Sequence, residues 1–266
     1  MDKLKIALCQ HNIVWEDARA TISQIDGPVR RFCARTHPDL LAFPEAFSVG
    51  FTMNPAVSEP ADGPSATWLR ELARSSGVAV VASVPTLEGK ARYNRCYFIA
   101  PDGQEWHYDK HHLFTPSGES PAYDPGNRRC TVPYKGWNIA LNVCYDLRFP
   151  VWSRNVGCEY DLLLNIANWP DIRIRAAVML LHARAIENAC YAAFCNRIGQ
   201  DTFCDYDGRS MIVDFFGDDI ARRHNVGGVP FFSAILSLSK LQHYRERFPV
   251  TADADDFELI IPNMHR

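Results

Sequence analysis

The 266-residue sequence predicts one α/β domain, residues 1–266, in which a mixed β-sheet is covered by helices. Short apolar runs rich in valine, isoleucine and phenylalanine recur along the chain, each closed by turn residues. Segments with helical spacing lie between several of the early runs. In the middle of the chain the runs become hairpin-like neighbours, so antiparallel pairs join an otherwise alternating pattern. A hydrophobic content of 47% is ample for a sizeable core. The length suits one large domain better than two small ones.

Taken in order, KIALCQ (5–10), DLLAFPE (39–45), VAVVASVP (78–85) and NRCYFIAP (94–101) read as strands, the last followed by the turn pair Asp102-Gly103. Five more follow: WNIALNVC (137–144), DLLLNIAN (161–168), CYAAFCNR (190–197), SMIVDF (210–215) and SAILSLS (233–239). ATWLRELARSSG (66–77) is helical, with Trp68, Leu69, Leu72 and Ala73 on one stripe and a glycine stop. RAAVMLLHARAIENA (175–189) repeats the pattern through Ala177, Val178, Leu181, Ala185 and Ile186. The segments least committed to order are GESPAYDPGNRR (118–129) and TADADDFE (251–258). For the closing IIPNMHR (260–266), packing across a neighbouring subunit and fraying both stay open.

Charge excludes several roles. Twenty-eight basic against 31 acidic residues leave −3, with no long like-charge run. Neither nucleic acid nor an anionic membrane is therefore expected as a partner. The N-terminal MDKLKIALCQ lacks the apolar region and cleavage site of a signal peptide. No apolar run approaches the roughly 18 residues of a membrane span. Nine cysteines are scattered without a CxxC pair, which points to reduced thiols in a cytoplasmic protein.

Three stretches end an apolar run on a residue that a core does not tolerate alone. LLAFPEAF carries Glu45, EWHYDKHHLF carries Lys110 and NIALNVCYD carries Cys144. A buried carboxylate, ammonium or thiol is costly unless paired, so the three endings are candidates for one shared site. There the carboxylate would take the thiol proton. The ammonium would hold the oxyanion formed when sulfur attacks a carbonyl carbon, with the Tyr145 N–H as a second donor. That set suits acyl transfer from an amide or nitrile and requires no metal or cofactor.

Each residue also has a plainer role open to it. Cys144 fits a buried structural thiol, Glu45 a carboxylate at a helix start, and Lys110 a surface lysine at a strand end. His111 and His112 are adjacent. On a strand they would point to opposite faces, so at most one could join a site.

In these stretches together the sequence resembles the nitrilase superfamily of carbon–nitrogen hydrolases. FPE at 43–45, DKHHLF at 109–114 and NVCYDLRFP at 142–150 match its Glu–Lys–Cys set, spaced by 65 and 34 residues. The resemblance continues through IANWP (166–170) and ARAIENACYAAFCNRIG to the closing strand. It implies a four-layer αββα sandwich whose protomers pair through helices into a homodimer or higher oligomer. It also implies that Cys144 is the nucleophile, Glu45 the base and Lys110 the oxyanion partner, with Glu119 as a second glutamate. CYDLRFPVWSRN, NWP and ARAIEN are most similar to the ω-amidase branch, bacterial type. Such enzymes hydrolyse the terminal amide of 2-oxoglutaramate or 2-oxosuccinamate.

A small substrate with a remote carboxylate needs a cation, and Arg148 and Arg173 are the candidates. Arg148 fits better as a structural residue paired with an acidic neighbour at the nucleophile turn. Phe114, Tyr145 and Trp169 are candidate pocket walls or ordinary core. Other readings are a carbamoylase, nitrilase or aliphatic amidase on the same fold, and a non-catalytic binding scaffold. Redox sensing by Cys144 would be a secondary property.

Overall fold

The computed structural model describes residues 1–261. Of the closing IIPNMHR stretch, residues 262–266 lie outside the described residues. The first half of the chain forms β1 (Lys3–Cys9), α1 (Ala18–Thr36), β2 (Leu40–Ala42), β3 (Glu59–Pro60) and α2 (Pro64–Ser76). It continues through β4 (Ala79–Glu88), β5 (Ala91–Ile99), β6 (Glu105–Asp109), α3 (Glu119–Ala122) and β7 (Thr131–Tyr134). The second half has β8 (Trp137–Val143), β9 (Leu162–Ile166), α4 (Asp171–Glu187), β10 (Tyr191–Cys195) and β11 (Ile198–Gln200). It closes with β12 (Asp205–Asp207), β13 (Met211–Val213), β14 (Arg222–Val226), β15 (Val229–Ser237) and α5 (Leu238–Arg247).

Thirteen of these strands make two mixed sheets, and β11 pairs with β12 in a separate two-stranded hairpin. One runs β14-β15-β1-β2-β4-β5-β6, with β3 beside β4; the other runs β13-β10-β9-β8-β7. In each, three parallel strands occupy the middle (β1, β2, β4 and β8, β9, β10), flanked by antiparallel neighbours.

Strand alternation decides what each face meets. Leu4, Ile6 and Leu8 of β1 turn inward and pack in one cluster with Ile139, Leu141 and Val143 of β8. The residues between them turn outward. Ala7 and Cys9 meet Ile25, Val29 and Phe32 of α1 and Leu69 and Leu72 of α2. On the second sheet, Ala140, Leu163 and Phe194 meet Ala177, Leu181 and Ala185 of α4. The result is helix on sheet on sheet on helix, the four-layer αββα sandwich.

Every strand and both helices read from the sequence are present, with three adjustments. Helix α1 was hidden by Gly27 and Pro28 in its interior, which read as breakers; Asp17 caps it by accepting from the Ala20 N–H at 2.9 Å. On α4 the buried stripe is narrower than expected, for Ile186 is 48% exposed and Val178 only half-buried. Residues 118–129 are not simply loop: Glu119 opens α3 and is fully buried.

The parallel strands place the site. In α/β sheets ligands gather beyond the carboxyl ends of such strands. Glu45 follows β2 of the first sheet, Cys144 and Asn168 follow the parallel β8 and β9 of the second, and the packing of the two sheets brings these ends together.

Candidate active site

Cys144 stands at a bend that most residues avoid. Strand β8 ends at Val143, and Cys144 takes φ +47°, the left-handed region, before a short 3₁₀ turn to Arg148. A non-glycine residue persists there only when its surroundings hold it. Asp146 does so. Its buried carboxylate accepts from the Val143 N–H at 3.0 Å, the Tyr108 hydroxyl at 2.8 Å and the His112 N–H at 2.9 Å. Tyr108 and His112 flank Lys110, so one carboxylate ties the nucleophile bend to the lysine segment. The Tyr145 N–H lies in the first turn of the 3₁₀ segment, where amides lack a helical partner.

Glu45 lies in a turn, not at a helix start, and is completely buried. The next residue, Ala46, also takes positive φ, +42°, and its N–H donates to Ser83 Oγ at 2.7 Å. Glu45 Oε1 accepts from Lys110 Nζ and from Asn94 Nδ2, each at 2.8 Å, while Oε2 accepts from the Asn168 N–H at 2.9 Å. Lys110 Nζ also donates to both oxygens of Glu119, at 3.0 and 2.9 Å. Glu119 is fixed from behind by the Phe114 N–H at 2.5 Å. Lys110 is thus no surface lysine: one ammonium is shared by two carboxylates in a dry pocket.

The titration directions follow from this packing. Burial opposes charge on Lys110, but Glu119 and Glu45 outweigh it and hold the ammonium well above its ordinary range. Burial pushes the Glu119 carboxyl up, and Lys110 only partly offsets this. The Cys144 thiol is raised well above its ordinary value, first by desolvation and then by the negative Glu45 beside it. A thiol raised in this way is protonated at neutral pH. The Cys144 sulfur lies 4.0 Å from the Asn168 carbonyl.

The half-buried Cys144 opens on a cavity of about 590 Å³. The three candidate wall residues, Phe114, Tyr145 and Trp169, and the two candidate arginines, Arg148 and Arg173, all line it. Phe114 and Tyr145 meet edge to face at 4.9 Å. Trp169 is both wall and core: it is 3% exposed and packs edge-on against Phe194.

The arginines correct one expectation. Arg148 has no acidic partner among the described residues; its guanidinium lies 5.0 Å over the Trp169 ring. Arg173 lies 5.2 Å over the Phe114 ring, likewise without a carboxylate. The acidic neighbour Asp146 is already satisfied by Tyr108 and His112, which leaves Arg148 to the cavity.

The histidines correct another. His111 and His112 follow β6 instead of lying on it, so strand alternation does not separate them. His111 stacks on Trp152 at 3.9 Å and His112 on Phe149 at 3.6 Å, and both brace the nucleophile bend. Asn94, Asn168 and Asp146 were missed as site residues. Each lies inside a quoted run, NRCYFIAP, IANWP or NVCYDLRFP, and a polar residue in such a run is the signal that was available.

Comparison with known proteins agrees with this geometry. The family model for carbon-nitrogen hydrolases matches residues 5–229. The chain belongs to the carbon–nitrogen hydrolase family. This carbon–nitrogen hydrolase is 41% identical to omega-amidase YafV of Yersinia enterocolitica, over 98% of this chain and all of that one. It is 33% identical to the 2-oxoglutaramate amidase of Bacillus subtilis (strain 168), over 82% of this chain and 85% of the relative. Among solved structures it superposes on XC1258 of Xanthomonas campestris, a CN-hydrolase superfamily protein with an arsenic adduct in its active site. That match has a TM-score of 0.90 and 36% identity, over 97% of this chain and 100% of that one. The hydrolase family and the sandwich fold are the ones the motifs implied.

Proposed function

We propose that this hydrolase is an ω-amidase, acting on 2-oxoglutaramate or 2-oxosuccinamate to give the 2-oxo dicarboxylic acid and ammonia. The observation that carries the substrate assignment is the pair of guanidiniums, Arg148 and Arg173, without carboxylate partners on the wall of the Cys144 cavity. A bidentate guanidinium–carboxylate pair is what the far end of such a substrate requires. The full-length similarity to an omega-amidase and the relative named for 2-oxoglutaramate support the same reading.

The cycle uses Cys144 and the buried Lys110–Glu45 pair whose charges the thiol feels. Glu45 accepts the Cys144 proton as sulfur attacks the amide carbon. Lys110 and the Tyr145 N–H stabilise the oxyanion. The C–N bond breaks and ammonia leaves with the proton returned by Glu45. Water, deprotonated by the same carboxylate, then cleaves the thioester and frees the thiol. Glu119 holds Lys110 in place, and Asn94 bridges the two glutamates.

The remaining traits follow this reading. One catalytic domain spans residues 1–266, in line with the relative aligned over 98% of the chain. The nine cysteines are all free, which supports a reducing, cytoplasmic setting. The outer face of α4 exposes Ile172, Met179 and Ile186, an apolar stripe suited to pairing with a second copy.

The test is ammonia release from 2-oxoglutaramate, 2-oxosuccinamate, glutamine, a simple aliphatic amide and a nitrile, with Cys144→Ala alongside. Turnover of the 2-oxo amides, reduced at least about 10⁴-fold in the variant, is expected. Preference for the aliphatic amide would keep the nucleophile and overturn the substrate assignment.

A further inference from the structure

We propose that the cavity has a second, apolar compartment built for a substituent on the leaving nitrogen, so that N-substituted ω-amides are substrates as well. This rests on the ω-amidase reading. The argument begins with space. A 2-oxo amide of about ten heavy atoms, even at the roughly 30 Å³ that each liquid water occupies, fills only about half of the cavity. Cavities of this size ordinarily hold larger ligands.

The surplus wall is apolar, and of its residues Phe51 also packs against the catalytic lysine, its ring centre 5.0 Å from Lys110 Nζ. Trp15, Phe51, Met53 and Phe203, the last at the tip of the β11–β12 hairpin, line it. Trp15 and Phe203 meet edge to face at 6.0 Å. Phe203 is 80% exposed, a large apolar area left facing water beside a reactive thiol. The tip that carries it is well built. Asp201 accepts from the Phe203 N–H at 2.8 Å, the Cys204 N–H at 2.9 Å and the Tyr206 hydroxyl at 2.8 Å. Arg197 lies beneath, 3.6 Å from Asp201 and 4.5 Å from the Tyr206 ring centre.

The two carboxylates on this wall do not make it a cation site. Asp201 is occupied as described, and Glu16 is held by Thr52 Oγ1 at 2.5 Å and Asn54 Nδ2 at 2.9 Å. With Asp201 set against Arg197 and Glu16 hydrogen-bonded to Thr52 and Asn54, the aromatic and thioether surface is what the compartment offers an incoming group.

Bonding at the reacting carbon says which part of the substrate enters. The carbonyl oxygen faces Lys110, and the acyl chain ends at a guanidinium after two or three carbons. Only the nitrogen is left to carry a further group. The step is otherwise unchanged: the S–C bond forms, the C–N bond breaks, and a primary amine leaves in place of ammonia with the proton from Glu45. Water then releases the same 2-oxo acid.

The experiment compares the primary amide of 2-oxoglutarate with its N-benzyl amide, reading ammonia and benzylamine, in the wild type, Phe203→Ala and Phe203→Leu. The N-benzyl amide should reach at least about one tenth of the kcat/KM of the primary amide. Phe203→Ala should lower that ratio about fivefold or more, and Phe203→Leu should largely restore it. Release of ammonia without benzylamine, or a ratio indifferent to Phe203, overturns the compartment and leaves the ω-amidase reading intact. If neither amide turns over, the ω-amidase reading fails. Titration of Cys144→Ala with both amides then decides the compartment: roughly tenfold tighter binding of the N-benzyl compound sustains it, and equal or absent binding overturns it.

Discussion

Behind the cavity wall that carries Cys144, Lys110 touches Glu45 and Glu119, and all three side chains are fully buried. On the wall, Arg148 and Arg173 rest over aromatic rings and, among the described residues, meet no carboxylate. The first region is closed on itself, so its geometry does not depend on a ligand. The second is left open, and its cations are completed by whatever enters. In the proposed function, reaction chemistry and substrate choice thus fall to different kinds of electrostatics, one behind the cavity wall and one on it. The first is preorganised and dry; the second is available and half-solvated.

Breaking the closed region should have the largest effect. Lys110→Met leaves two buried carboxylates without their cation, and loss of one partner from a buried pair costs about 3–5 kcal/mol. Loss of an oxyanion donor costs about 10²–10³ in kcat. Chemical denaturation together with single-turnover rates checks both. A variant as stable as the wild type would show that Lys110 is not held as an ion pair.

Breaking the open region should act on binding alone. Arg173→Met is expected to raise KM for 2-oxoglutaramate about 10- to 100-fold, the worth of a charge-assisted hydrogen-bonded pair. Stability should stay within about 0.5 kcal/mol, since no partner is orphaned. Arg148→Met, compared in the same assay, tells which guanidinium takes the carboxylate. A fall in kcat with KM unchanged would place these arginines in the closed region instead.

The smallest effect is a change of pH profile at the boundary between them. Burial and Glu45 raise the Cys144 thiol well above its ordinary value, so only a small thiolate fraction exists at neutral pH. Alkylation of Cys144 by iodoacetamide should therefore climb about tenfold per pH unit from pH 6 to 9. Glu45→Gln removes a charge that raises the thiol. It should alkylate faster at pH 7 while turning over more slowly. A plateau below pH 8 in the wild type would mean a resting thiolate paired with Lys110.

Much of this was legible in the sequence because period and chain order carry it. Strand runs such as KIALCQ and DLLLNIAN declare themselves by composition, and buried polar endings at Glu45, Lys110 and Cys144 mark a shared site. Helix α1 was not legible, because Gly27 and Pro28 break the local signal and packing against the sheet overrides it. Asn94 and Asn168 were hidden for a different reason. A single polar side chain inside an apolar run is ambiguous until its partner, distant in sequence, is known.

The sequence by itself determined the alternation of elements, the four layers that its family motifs imply and the identity of the reactive groups. Each is written in nearby residues or in motif order. Only the tertiary structure decided that Arg148 and Arg173 meet no carboxylate among the described residues, that His111 and His112 both brace the nucleophile bend, and that Glu119 is buried against Lys110. Those facts depend on which side chains from separate strands converge, and on what lies within a few ångströms in a medium that screens charge poorly.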